Sequence, residues 1–167
     1  MLVAISDTHA DSEPRLAPHL REALRNADLL LHAGDFVTEA VYDRFDDLAD
    51  GLTAVRGNSD RRGLADRLPE TATVEWAGLR FLLAHGHRHD ETSLSFLARQ
   101  EGADVVVTGH THRPTVGRLG ETVHVNPGSH AQPRGNRAAY AAFARDAGGV
   151  SVRLRAPSGA EFVRERV

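Results

Sequence analysis

Uninterrupted apolar runs alternate with segments whose apolar positions recur every three or four residues, and this alternation sets the predicted elements. Leu2-Val3-Ala4-Ile5 predicts a buried strand, and between Arg15 and Ala27 the residues Leu16, Leu20, Ala23 and Leu24 share one helical face. Leu29 to His32 predicts a second strand. Val37 to Ala49 predicts a helix with Val41, Phe45 and Leu48 inward, closed by Gly51, and Leu52 to Val55 a third strand. Arg56 to Gly63 is polar and glycine-containing and reads as a loop. Ala72 to Trp76 and Leu79 to Ala84, joined at Ala77-Gly78, predict a hairpin. A helix over Glu91 to Gln100, aligned on Leu94, Leu97 and Ala98, precedes a strand from Asp104 to Val107. Beyond it four segments read as strands: Thr115 to Leu119, Thr122 to Val125, Ala138 to Arg145 and Val150 to Arg155.

Strands alternate with helices in the first two-thirds of the chain and pair locally in the last third. The fold class is therefore α/β with an α+β ending, and one core serves both parts if two sheets stack with helices outside. No repeat or low-complexity linker divides the chain, so residues 1–167 read as a single domain. The tail from Ala156 shows no pattern and is expected to be loosely ordered.

Composition narrows the chemistry. The absence of cysteine excludes disulfides, thiolate metal sites and cysteine nucleophiles, so any metal ligands are nitrogen or oxygen. The net charge of −3 comes without a dense basic block, which gives no strong nucleic-acid signature. The opening apolar run breaks at Asp7 with no basic leader; neither a signal peptide nor a membrane span is expected, and the default is a soluble cytoplasmic protein. Edge strands near the C-terminus suggest pairing into a homodimer.

Three pairs of polar residues, Asp7-Thr8-His9, His85-Gly86-His87 and His110-Thr111-His112, each follow an apolar run. In a parallel sheet the carboxyl ends of the strands share one rim, so such residues converge although distant in sequence. The intervals support convergence: Asp7 to Asp35 is 28 residues, Asp35 to Asn58 is 23, Asn58 to His85 is 27 and His85 to His110 is 25. A strand, its crossover and the next strand take about 30 residues. Taken singly, each has a plainer use: Asp7 as a turn and His9 as a cap, Asp35 as a helix N-cap, Asn58 as a turn residue. His32, on a buried strand, reads as a hydrogen-bonded core histidine, and His19 as an exposed helix residue. Together, Asp7, His9, Asp35, Asn58, His85, His110 and His112 exceed the need of one tetrahedral ion, and two divalent ions sharing Asp35 fit better. Mixed nitrogen and oxygen ligation suits manganese, which is favoured, as well as iron, zinc, nickel or cobalt.

The ordered set Asp7-x-His9, Gly34-Asp35, Gly57-Asn58-x-Asp60, His85-Gly86-His87, Gly109-His110-x-His112 and Asn126-Pro127-Gly128-Ser129 resembles the calcineurin-like metallophosphoesterases, in the branch of small YfcE-type phosphodiesterases. The resemblance runs from residue 1 to about residue 155. It implies a four-layer α-β-β-α sandwich of two mixed sheets. It also implies one metal on Asp7, His9, Asp35 and His112, and a second on Asp35, Asn58, His85 and His110, with Asp35 bridging. Asn126 to Ser129 would shape a loop beside the site.

The implied activity is hydrolysis of a small phosphoester, most simply a phosphodiester, by a hydroxide held between the metals, with Asn58 stabilising charge on phosphorus oxygens. Phosphoprotein phosphatases of the superfamily carry histidine directly after the motif asparagine. Here that residue is Ser59, a poor general acid, which argues against protein phosphatase activity and for substrates with good leaving groups. His87 is the candidate for proton delivery, and Asn58, Ser59 and His87 are the candidate substrate contacts. The alternative is a catalytically weak scaffold on the same fold, which the complete histidine set disfavours. A dimetal amidohydrolase barrel would begin with His-x-His and needs about 250 residues.

Overall fold

The first four apolar residues face two ways, and that division builds the molecule. In the computed structural model, which describes residues 1–167, β1 (Leu2–Ile5) is fully buried. Leu2 and Ala4 pack into a core shared with Phe81, Val105 and Phe143, whereas Val3 and Ile5 pack with Leu20, Leu24, Val41 and Phe45. A strand covered on both faces cannot alternate apolar and polar residues, so the sequence shows a continuous run.

The elements in order are β1, α1 (Pro18–Arg25), β2 (Leu29–His32), α2 (Glu39–Asp46), β3 (Leu52–Ala54), α3 (Arg62–Arg67), β4 (Thr71–Trp76), β5 (Leu79–Ala84), α4 (Glu91–Glu101), β6 (Val105–Val107), β7 (Thr115–Leu119), β8 (Thr122–Asn126), β9 (Tyr140–Asp146), β10 (Gly149–Arg155) and β11 (Glu161–Arg166). One sheet runs β11-β10-β9-β1-β2-β3 and the other β4-β5-β6-β8-β7. Both are mixed: β1, β2 and β3 are parallel in the first, and β5, β6 and β8 in the second. The shared core lies between the sheets, α1 and α2 cover the outer face of the first through Leu20, Leu24, Val41 and Phe45, and α4 covers the second through Leu94 and Ala98. The result is the expected four-layer α-β-β-α sandwich.

Local signals fix most boundaries. Asp90 caps α4 by accepting from the Ser93 N–H at 2.8 Å, and Gly102 ends it at φ 62°. The Ala77-Gly78 hairpin pairs Trp76 with Leu79 as expected. The helix expected over Val37 to Ala49 runs only from Glu39 to Asp46, after which the Leu48 and Ala49 N–H groups both turn onto the Phe45 carbonyl. Helix α3 lies partly in a segment that reads as loop, because its six residues bury only Leu64 and cannot display a period. The tail expected to be loosely ordered instead forms β11, paired antiparallel to β10, with Phe162, Val163 and Val167 against the shared core and the Arg137 guanidinium 4.5 Å from the Phe162 ring. Its charged residues Arg164, Glu165 and Arg166 are consecutive and exposed on an edge strand, which hides any alternation.

Candidate metal centre

Because β1, β2 and β3 are parallel, as are β5, β6 and β8, the loops after their carboxyl ends meet on one rim. Asp7 and His9 follow β1, Asp35 follows β2, Asn58 follows β3, His85 follows β5, and His110 and His112 follow β6. The ligand atoms of Asp7, His9 and His112 lie within 4.8 Å of one another, and so do those of Asp7, Asp35 and His85.

The distances resolve two groups. In the first, His112 Nε2 stands 3.3 Å from Asp7 Oδ1 and 3.2 Å from His9 Nε2, which is 3.4 Å from Asp35 Oδ2. In the second, Asn58 Oδ1 is 3.1 Å from His85 Nε2 and 3.0 Å from His110 Nδ1, and His85 Nε2 is 3.5 Å from Asp35 Oδ1. Asp7 belongs to both groups: its Oδ1 lies 3.3 Å from His112 Nε2 and 3.9 Å from His9 Nε2, and its carboxylate accepts from the His110 backbone N–H at 3.0 Å. Asp35 alone presents one oxygen to each. Ligand atoms about 2.1 Å from a common cation stand about 3.0–3.5 Å apart, so the spacing fits coordination.

Two ring orientations are set from behind. The His85 Nδ1–H donates to the Ala33 carbonyl at 2.7 Å, and the His112 Nδ1–H donates to the Gln132 carbonyl. A carbonyl only accepts, so the proton is fixed on Nδ1 and each Nε2 lone pair is turned into the site, the usual support of a metal-binding imidazole. The charges also fit a cation. Asp7 and Asp35 are 0% and 2% exposed, yet their ionic partners are histidines only, with no arginine paired to either. Two buried carboxylates close together need compensating positive charge. Burial raises the Asp7 carboxyl above its ordinary range, against opposing hydrogen bonding from Ser6. Burial also acts on Asp35, but His85 and the Ser59 N–H and hydroxyl outweigh it and hold that carboxyl well below the usual range. Burial lowers His9. Burial likewise opposes the charged form of His85, whose pKa is nonetheless raised by its hydrogen bond and attraction to Asp35.

The loops themselves are strained. Asp7, His9, Asp35, His110 and His112 all have positive φ, from 44° to 67°, and Val37 reaches 96°. Such conformations cost about 1–3 kcal/mol each and persist only where surrounding bonds enforce them. Asp60 supplies much of that enforcement: it accepts from the N–H groups of Gly57 at 2.6 Å, Val37 at 2.8 Å and Asp35 at 3.3 Å. Asn126 Nδ2 holds the Gly109 carbonyl at 2.7 Å, and Ser129 Oγ donates to the Asp7 carbonyl at 2.7 Å. Gly57 and Gly109 have no room for a side chain, since a Cβ would overlap Asp35 in one case and Ser6 in the other.

All seven expected ligands therefore gather at one place. Ser59, expected at the substrate, is turned onto Asp35, to which its N–H and hydroxyl donate at 2.7 and 2.9 Å. His87 lies at the margin, its ring centre 5.3 Å from that of His85 and 6.2 Å from that of His110. His32 is the core histidine expected: it accepts from the Gly34 N–H and its Nε2 bonds Thr8 Oγ1 at 2.9 Å. His19, expected to be exposed, is half-buried with its Nδ1 3.3 Å from the Tyr140 hydroxyl. Sequence reasoning missed the bracing role of Asp60, for which its place in Gly57-Asn58-x-Asp60 was the only signal.

Oxygen and imidazole donors at the strand ends of a two-sheet sandwich define the class: a fold with a candidate binuclear metal centre. A model of the calcineurin-like phosphoesterase superfamily domain matches residues 1–147, and the chain belongs to that superfamily. It is 35% identical over 138 residues to a protein of Methanothermobacter thermautotrophicus named "Probable metallophosphoesterase", covering 80% of this chain and 79% of that one. The solved structure of YfcE, a phosphoesterase from Escherichia coli, superposes with TM-score 0.71 at 26% identity over 98% of this chain and 97% of that one. Vps29 of Entamoeba histolytica, solved in complex with zinc, shares the fold with TM-score 0.76 at 23% identity, over 99% of this chain and 97% of that one.

Proposed function

We propose that this protein is a phosphodiesterase acting through two divalent cations, manganese favoured, with nickel, cobalt, iron or zinc as alternatives. The observation that carries the proposal is the placement of Asp35, whose two oxygens face His9 at 3.4 Å and His85 at 3.5 Å. Asp7, His9, Asp35 and His112 would hold one cation, and Asp35, Asn58, His85 and His110 the other. The cations supply Lewis-acid charge for the phosphoryl oxygens and make water acidic enough to attack at neutral pH.

The chain's own residues do the rest. Asn58 and His110 are the exposed members of the set, so substrate arrives on their side. With Oδ1 turned to the two histidines, the Asn58 amide N–H group faces outward to donate to a phosphoryl oxygen, its one other partner being Ser59 Oγ at 3.5 Å. Ser59 orients Asp35 and, lacking a titratable proton, leaves proton delivery to His87. This division of labour favours esters with good leaving groups.

The test is hydrolysis of bis(p-nitrophenyl) phosphate by purified protein with manganese. Turnover that depends on added metal and falls at least about 100-fold in His110→Ala and Asp35→Asn supports the reading. Absence of turnover with every metal tried would leave the fold acting as a scaffold.

A further inference from the structure

Asp7, His9 and Asp35 stand on two adjacent loops, and one buried histidine bonds both loops at once. Residues 6–10 follow β1 and residues 33–37 follow β2. They run side by side: the Asp7 N–H donates to the Gly34 carbonyl at 3.0 Å, the His9 N–H to the Asp35 carbonyl at 3.0 Å and the Ala10 N–H to the Phe36 carbonyl at 3.2 Å. Thr8, also buried, falls between the first two of these rungs. Its side chain supplies the missing one, through His32.

His32, the last residue of β2, is fully buried and stacks on Phe36 with ring centres 3.4 Å apart. The Gly34 N–H donates to its Nδ1 at 3.2 Å, so that nitrogen carries no proton. The ring proton is therefore on Nε2, which donates to Thr8 Oγ1 at 2.9 Å. Burial pushes the His32 pKa well below its ordinary value and keeps the ring in this neutral form. One rigid side chain holds the Asp7-Thr8-His9 segment by one nitrogen and the Gly34-Asp35 segment by the other. Asp7, His9 and Asp35 all have positive φ, so their placement depends on bonds from outside their own loops.

Building on the two-cation reading above, we propose that His32 is a positioning residue: through Thr8 and Gly34 it sets Asp7 and His9 against Asp35, and with them the affinity for the cation these three residues would share. The effect is selective. Of the residues proposed for that cation only His112 lies outside the two braced loops, whereas of those proposed for the other only Asp35 lies on them.

Three substitutions isolate the cross-loop bond. His32→Asn keeps an acceptor for the Gly34 N–H but is too short to reach Thr8, Thr8→Val removes the acceptor at nearly constant shape, and His32→Gln restores a donor towards Thr8. Calorimetric titration of the metal-free proteins with manganese is expected to show one ion weakened at least about tenfold in His32→Asn and in Thr8→Val, and the other changed by less than about threefold. The double variant should lose no more than either single one, and His32→Gln should bind nearly as the wild type does. Thr8→Val tests the same bond if His32→Asn does not fold. Unchanged affinities with a lowered urea midpoint, equal weakening of both ions, additive losses in the double variant or no rescue by His32→Gln would each make His32 a packing residue and overturn the proposal, while two ions in the wild-type protein keep the two-cation reading. Fewer than two ions in the wild-type protein overturns both.

Discussion

At the scale of single residues the site depends on groups that would not touch a metal at all. Asp60 gathers three backbone N–H groups, two of them on the strained segment that carries Asp35. Asp60→Ala removes the acceptor for all three, and loss of such a supporting partner weakens metal binding about 10–100-fold. Calorimetric titration with manganese measures this; an unchanged affinity would show that the positive φ values of Asp35 and Val37 are enforced elsewhere. His87 is tested by a different signature. If it delivers the proton, His87→Gln slows esters of poorly acidic alcohols about 10²–10⁴-fold, while p-nitrophenyl esters, whose leaving group needs no proton, fall far less. A uniform loss across leaving groups would make His87 a packing residue.

Elements were legible where burial is simple. Continuous runs such as Leu2–Ile5 and Val105–Val107 are buried on both faces, so they stand out without alternation, and the intervals between candidate ligands followed from the strand-crossover-strand unit. What escaped is long-range. The positive φ of Asp7, His9, Asp35, His110 and His112 is forced by bonds between loops far apart in sequence, and the carbonyls that set the histidine tautomers come from Ala33 and Gln132, 52 and 20 residues from their partners. Strand β11 escaped because four of its six residues, Glu161, Arg164, Glu165 and Arg166, are charged and lie on an open edge. Its anchor is Phe162, half-buried against the shared core beneath Arg137. Phe162→Ala is expected to lower stability by about 1–2 kcal/mol, read as a shift in the urea midpoint. An unmoved midpoint would mean that the strand contributes nothing to the fold.

For the whole molecule, a buried histidine away from the expected ligands predicts how stability depends on pH. Burial lowers His130 to about 4, with neither ring nitrogen hydrogen-bonded. An unfolded histidine takes up its proton near pH 6.5, about 2.5 units higher. Between those values the unfolded chain binds a proton that the folded chain refuses. The contribution is therefore intact above about pH 6.5 and is lost as the pH falls towards 4, by about 3 kcal/mol in all. Urea unfolding at a series of pH values should show this decline, and His130→Leu should flatten it; an equally steep decline in the variant would place the acid sensitivity in other groups.

The two donor groups are joined by one carboxylate, and counting bound metal tests that arrangement most directly. Calorimetric titration of the metal-free protein with manganese is expected to give two ions per chain, with Asp35→Asn losing at least one of them. A single ion in the wild-type protein, or two ions still bound equally tightly by Asp35→Asn, would contradict a binuclear centre bridged by Asp35.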